Sequence, residues 1–224
     1  MTPLQQTLGW IYLFIHVIAL PLLIRMYDKA AGGVNPANAN LVYYAFGVAF
    51  VAAVMLRYLR REFDALMDRL GWCIITALLA LLVMYALNTA ATLVLMLLEE
   101  VLNNPNNDMV AQLAREDFGA IKALSVFIAP IVEEVLFRGV LFGSLRERSR
   151  GWAYVVSVAA FGLYHVWQSA LAAGDWTMLL YAVQYVPISV VLAWCYERSG
   201  SLWTGIFYHM GYNAISFTLL TMMM

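Results

Sequence analysis

Charged residues are scarce in this sequence. Only 12% of its 224 residues are Asp, Glu, Lys or Arg, whereas a soluble domain carries about 25%. The two cysteines, Cys73 and Cys195, are too few for a disulfide framework or a cysteine-rich metal motif. The net charge is −1, and no basic cluster in the sequence suggests binding to nucleic acid. We therefore expect no nucleic-acid partner.

Long apolar runs take the place of the missing charge. Hydrophobic residues make up 63% of the chain, and the mean hydropathy is +0.76. A helix that crosses a bilayer needs roughly 20 mostly apolar residues. Seven segments meet this requirement: 8–26, 41–59, 72–98, 119–142, 152–173, 177–196 and 202–222. The sequence predicts an all-α polytopic bundle of about seven transmembrane helices, with the lipid bilayer around it.

The same segments predict one membrane domain over residues 1–224. No internal repeat, linker or low-complexity stretch divides the chain. The first segment lacks a positively charged start and a small-residue cleavage site, so we expect a retained helix. Two alternatives stay open: the third span breaks near Asn88 and Thr89, or the fourth encloses a re-entrant element.

The distribution of arginine predicts the orientation in the membrane. Two basic loops, "RYLRREFDALMDRL" and "SLRERSRG", fall on the same side of a seven-span bundle. The stretch "EEVLNNPNNDMVAQLAREDF" is acidic and falls on the opposite side. Because basic loops stay in the cytoplasm, the N-terminus is expected inside and the C-terminus outside.

Few polar side chains remain within the apolar segments, and ionisable groups at membrane depth are usually functional. They are Glu133, Glu134, Arg138, His165, His209, Asn213 and His16. Glu134 and Arg138 stand four residues apart, in the order that favours an ion pair along one helix face. Glu133 lies about 100° further around the helix without such a partner. It therefore requires a partner from another helix.

The depths of these residues allow most of them to meet. At 1.5 Å per residue, Glu133, His165 and His209 fit into one layer in the cytoplasmic half of the bundle. His209 and Asn213 are one turn apart and face the same spot. His16 has no polar companion at helical spacing, and we interpret it as a packing residue.

Such a set suits hydrolysis of an amide by water. A buried carboxylate acts as a general base, a neighbouring histidine transfers protons, and imidazole and amide N–H groups stabilise an oxyanion. The sequence has no HExxH zinc motif and no GxSxG nucleophile elbow. "AAGDW" contains Gly174 and Asp175 but lacks the first glycine of the GxGD motif of aspartyl proteases. We expect no cofactor, although Glu and His side chains also bind zinc.

Three motifs on successive apolar segments carry a family resemblance. "EEVLFR" fits EExxxR, "FGLYH" fits FxxxH through Phe161, and "HMGYN" fits HxxxN. In this order they resemble the CPBP family of intramembrane proteases, which includes the CAAX prenyl endopeptidases and the bacterial Abi proteins. The resemblance covers residues 119–222, about the C-terminal half of the chain.

The resemblance implies an intramembrane endopeptidase that acts on a membrane-associated peptide or protein. It implies that Glu133 and His165 activate water, that His209 and Asn213 stabilise the oxyanion, and that Glu134 and Arg138 support them. The family is described as glutamate-type, and a metal-dependent mechanism has also been argued for it. The short chain resembles bacterial members, which implies the bacterial inner membrane. A non-proteolytic regulator or immunity scaffold and a proton-coupled transporter are the alternative functions.

Overall fold

The computed structural model describes residues 1–97 and 105–222, and nearly all of them are helical. Within these residues no strand occurs, so the predicted all-α class is confirmed. The elements in chain order are α1 (Pro3–Ala31), α2 (Pro36–Asp68), α3 (Leu70–Leu97), α4 (Pro105–Glu116), α5 (118–146), α6 (Arg150–Ala173), a 3-10 segment (Trp176–Tyr185), α7 (Val186–Ser199) and α8 (Leu202–Met222).

Candidate membrane spans follow the predicted pattern in part. Five stretches of the described residues are long and apolar enough to cross a membrane: Pro3–Ala31, Pro36–Asp68, Leu70–Val94, Arg150–Ala173 and Trp176–Ser199. They correspond to the first, second, third, fifth and sixth predicted spans. Predicted spans 119–142 and 202–222 are also helices, but neither is among the stretches that are long and apolar enough to cross a membrane. These two helices hold most of the polar candidate residues, namely Glu133, Glu134, Arg138, His209 and Asn213, so the count of seven stays a prediction.

The ends of the helices follow from local sequence. Thr2 caps α1, where its side chain and that of Gln5 exchange hydrogen bonds with each other's backbone N–H groups. Ser149 caps α6 by accepting from the N–H of Trp152. Gly174 and Gly200 end α6 and α7 at φ +69° and +74°, a left-handed conformation that favours glycine.

Helix α5 forms the centre of the bundle. Residues 132–142 are all buried, including the charged ones, and α1, α2, α6, α7 and α8 surround them. Gly47 lets α2 approach closely, because a Cβ there would lie 2.9 Å from a methyl group of Val132. The apolar side chains of α3 are largely exposed, as a lipid-facing helix requires. The site residues therefore sit at the best-packed part of the fold.

Three local predictions differ from the structure. The third span is not broken near Asn88, since α3 is continuous over Leu70–Leu97, and its predicted end at residue 98 lies outside the described residues. The predicted acidic loop contains helix α4 after residues 98–104, which are outside the described part as well. The sixth span begins as a 3-10 segment, and the α-helix starts at Val186 next to Pro187, which has no N–H for a ladder hydrogen bond.

Candidate active site

Two wide turns shape α5 on either side of Glu133. The segments Leu124–Ile128 and Glu134–Phe142 have π-helical geometry, which is frequent at functional sites. They flank the α-helical segment Ala129–Glu133. In place of a re-entrant element, α5 is therefore one continuous helix with two widened stretches.

Pro130 explains why one backbone carbonyl in the first wide turn is available to a side chain. The N–H of Ala129 donates to the oxygen of Leu124, and Pro130 has no N–H to donate to Ser125. The side-chain amide of Asn213 donates to that oxygen of Ser125 at 2.9 Å. This contact fixes Asn213 of α8 against α5.

Glu133 has its partners on three other helices. It is buried, and its Oε1 accepts a 2.9 Å hydrogen bond from the hydroxyl of Tyr44 in α2. Its Oε2 lies 4.0 Å from Nε2 of His165 and 3.9 Å from Nε2 of His209. The structure thus brings together the three residues that the sequence placed in one layer. It adds Tyr44, which sequence reasoning missed.

The second nitrogen of each histidine fixes its ring. Nδ1 of His165 lies 2.8 Å from the carbonyl oxygen of Phe161, and Nδ1 of His209 lies 2.9 Å from Oε1 of Glu134. Because a carbonyl and a carboxylate only accept, both Nδ1 atoms carry the proton. In the neutral rings, Nε2 is then an acceptor that faces Glu133.

Glu134 and Arg138 form the ion pair that their spacing predicts. Nη1 of Arg138 lies 3.1 Å from Oε1 of Glu134, and both side chains are fully buried. Nη2 donates to the hydroxyl of Ser189 at 3.1 Å and to its carbonyl at 3.3 Å. The guanidinium lies over the ring of Phe161, 4.2 Å from its centre. Glu134 therefore contacts both Arg138 and His209, and the second contact is one that helix spacing alone does not show.

A cavity of about 600 Å³ joins the candidate residues. Its lining includes all four side chains with a predicted catalytic role, Glu133, His165, His209 and Asn213. Glu133 lies midway along α5, and the cavity extends from it toward the end of α1, where Arg25 contributes to the wall. The arginine-rich turns after α2 and α5 are at the opposite end of the bundle. The space available to a substrate is thus on the far side of Glu133 from those turns.

The same residues do not form a ready metal site. The described part of the chain contains no group of three His, Cys, Asp or Glu side chains that could hold a metal ion. Ligand atoms in a tetrahedral zinc site are about 3.3–3.6 Å apart, whereas Glu133 is 3.9–4.0 Å from the two imidazoles. A zinc ion would therefore require these side chains to move closer together.

His16 packs in the interior and also contacts a tyrosine that lines the cavity. It is fully buried, and its Nε2 lies 3.4 Å from the hydroxyl of Tyr164. Its ring stacks on Tyr43 with the centres 4.3 Å apart. The aromatic residues of α1, α2 and α6 thus bring His16 close to the site. Their spacing in sequence gave no signal of this contact.

Comparison with known proteins finds similarity in the C-terminal half of the chain. Residues 118–215 match the model of the family described as type II CAAX prenyl endopeptidase Rce1-like. A Bacillus subtilis (strain 168) protein named "Putative membrane peptidase YdiL" is 29% identical over 91 residues, 40% of this chain and 33% of that protein. The match therefore spans about a third of the relative's length. No solved structure matches the chain significantly.

These matches agree with the three motifs and with the helices that carry them. The apolar helices show that the chain is an integral membrane protein. The matched segment contains Glu133, His165, His209 and Asn213, while α1 to α4 lie outside it. Over residues 118–215, the chain is therefore similar to the CAAX-protease-type membrane peptidases.

Proposed function

We propose that the protein is an intramembrane glutamate-type endopeptidase that hydrolyses a peptide bond of a membrane-associated protein or peptide. The family supports the reaction class. The observation that carries the mechanism is the position of Oε2 of Glu133 on a cavity wall, 4.0 Å and 3.9 Å from the free nitrogens of two histidines. A carboxylate and two imidazoles at one buried spot are the groups that peptide hydrolysis by water needs.

The gap between Glu133 and His165 fits the nucleophilic water. Polar groups more than 3.5 Å apart often share a bridging water, and a water about 2.8 Å from each spans the 4.0 Å separation. Glu133 accepts a proton from this water while its oxygen attacks the peptide carbonyl. The same proton then passes to the leaving amine as the C–N bond breaks. No covalent intermediate with the protein is required.

His209 and Asn213 stabilise the negative charge that develops on the carbonyl oxygen. One N–H of the Asn213 amide is used by Ser125, so its second N–H is the donor. Nδ1 of His209 is used by Glu134, so His209 donates through Nε2 in its protonated form. Donors that are fixed before the reaction contribute most to such stabilisation. Ser125 and Glu134 provide this fixation.

The direction of the cavity gives the side from which the substrate enters. If the arginine-rich turns are cytoplasmic, the cavity reaches into the outer half of the membrane and not into the cytoplasmic half predicted from sequence. We therefore expect a substrate segment that is exposed on the non-cytoplasmic side. The Bacillus subtilis relative supports the bacterial cytoplasmic (inner) membrane as the location.

A comparison of membrane proteomes tests this function, because a cleaved substrate reveals itself by its fragments. Cells that produce the wild-type protein are compared with cells that produce Glu133→Gln at the same level. The control is Glu197→Gln, because Glu197 pairs with Arg150 far from the cavity. We expect a cleavage product that is present in wild type and the control and absent in Glu133→Gln. Identical proteomes in all three strains would favour a regulator or scaffold, and proton flux through the purified protein would favour a transporter.

A further inference from the structure

A chain of hydroxyl groups extends from Glu133 into the N-terminal helices. The hydroxyl of Tyr44 lies 2.9 Å from Oε1 of Glu133 and 3.3 Å from the hydroxyl of Tyr164. The hydroxyl of Tyr164 lies 3.2 Å from that of Tyr43 and 3.4 Å from Nε2 of His16. Of these residues, Glu133 and Tyr164 fall in the segment that matches the family, and the other three lie outside it.

The number of protons limits the directions that these hydrogen bonds can take. Each tyrosine has one hydroxyl proton. Tyr44 gives its proton to Glu133, because an ionised carboxylate only accepts. Tyr43 gives its proton to the carbonyl of His16 at 2.9 Å, because a carbonyl only accepts. The proton of Tyr164 is then left for the oxygen of Tyr44 or for Nε2 of His16. Both contacts are satisfied when Nε2 of His16 carries a proton and donates to Tyr164, and we adopt this tautomer.

All donors in this arrangement point toward Glu133. The order is His16 to Tyr164, Tyr164 to Tyr44, and Tyr44 to Oε1. Successive hydrogen bonds in one direction polarise and strengthen one another in a low-dielectric interior. His16 is fully buried at the far end of this chain, whereas Tyr44 and Tyr164 line the cavity.

We propose that Tyr44 is a positioning residue for Glu133, and that Tyr164 and His16 strengthen its hydrogen bond. This inference rests on the proposed function, because positioning matters only if Glu133 activates water. With Oε1 held by Tyr44, the carboxylate cannot rotate Oε2 away from His165 and His209. Helices α1 and α2, which lie outside the family match, therefore complete the site.

Removing single hydroxyl groups tests the positioning role. Tyr44→Phe keeps the ring, which contacts Tyr43 edge-on with centres 5.0 Å apart. A hydrogen bond to a charged group contributes enough that its loss lowers kcat by about 10- to 100-fold. KM should stay within about twofold, because this hydroxyl acts through Glu133. The control is Tyr58→Phe, which removes a buried hydroxyl that contacts Tyr196 at 3.1 Å, away from the cavity. It should leave kcat unchanged.

A double variant distinguishes a chain from separate contacts. If Tyr164 acts only through Tyr44, Tyr164→Phe should lower kcat in the wild-type protein but not in the Tyr44→Phe protein. An equal effect in both backgrounds would overturn the proposed chain. A wild-type kcat for Tyr44→Phe would overturn the positioning role itself.

A stability measurement keeps this inference separate from the proposed function. The melting temperature, Tm, of the detergent-solubilised protein is compared for Tyr44→Phe in the wild-type and Glu133→Leu backgrounds. If Tyr44 bonds Glu133, the change should lower Tm clearly in the first background and less in the second. Equal shifts in both would overturn the inference even if the protein proves to have no peptidase activity. A wild-type protein that cleaves nothing would overturn the proposed function alone.

Discussion

Removing the positive charge of Arg138 should be among the most destabilising changes in the site. The side chain is fully buried, pairs with Glu134 at 3.1 Å, and makes two hydrogen bonds to Ser189. Arg138→Met keeps the apolar stem but removes the guanidinium, so that His209 is the remaining partner of the Glu134 carboxylate. Breaking a buried ion pair from one side costs about 3–5 kcal/mol. For a chain of this size that corresponds to a Tm decrease of roughly 6–20 °C.

The assay is thermal unfolding in detergent for four proteins: wild type, Arg138→Met, Glu134→Gln and the double variant. The double variant should be more stable than Arg138→Met alone, because no unpaired charge remains. Arg150→Met is the matched control, since Arg150 also pairs with a glutamate but is 72% exposed at its side chain. It should leave Tm almost unchanged. Effects of Arg138→Met and Glu134→Gln that simply add in the double variant would refute the coupling.

Two further predictions concern α8 and the packing of α6. Asn213→Ala should lower kcat by about 10²–10³-fold with little change in KM. The control is Thr218→Ala, because the hydroxyl of Thr218 bonds only its own helix, and this variant should keep the wild-type kcat. A lower Tm with an unchanged kcat in Asn213→Ala would show that Asn213 has only a structural role. Gly162→Ala should destabilise the protein by about 1–3 kcal/mol, because the added Cβ would lie 2.8 Å from the carbonyl oxygen of Ala182. Gly71→Ala, with nothing within 4 Å of its Cβ, is the control, and equal Tm values for both alanine variants would contradict the packing argument.

The sequence was sufficient for the fold class and for most of the polar layer. Hydropathy identifies helices that expose apolar surface to lipid, and it does so best where a helix contains no polar site residues. It is weakest for α5 and α8, because the residues that form the site lower the hydropathy of these two helices. Helical spacing was sufficient to pair Glu134 with Arg138 and to show that Glu133 needs a partner from another helix.

The identity of that partner could not be predicted. Tyr44 lies 89 residues from Glu133 in sequence, and a tyrosine in an apolar helix looks the same whether it anchors, packs or donates a hydrogen bond. The same holds for His16, whose contact with Tyr164 joins residues 148 positions apart. The wide turns of α5 depend on hydrogen bonds that tertiary contacts complete, such as that from Asn213 to Ser125. Such features appear only when the helices are assembled.

The central claim is that Glu133 is the general base of a peptidase. The most direct measurement is the cleavage rate of purified wild-type protein and Glu133→Gln in proteoliposomes, on a substrate identified from the membrane proteomes. Both proteins must first show the same helical content and a cooperative thermal transition. Because a general base contributes about 10²–10⁴-fold, Glu133→Gln should lower kcat by at least that factor. Cleavage by Glu133→Gln at the wild-type rate would contradict the account.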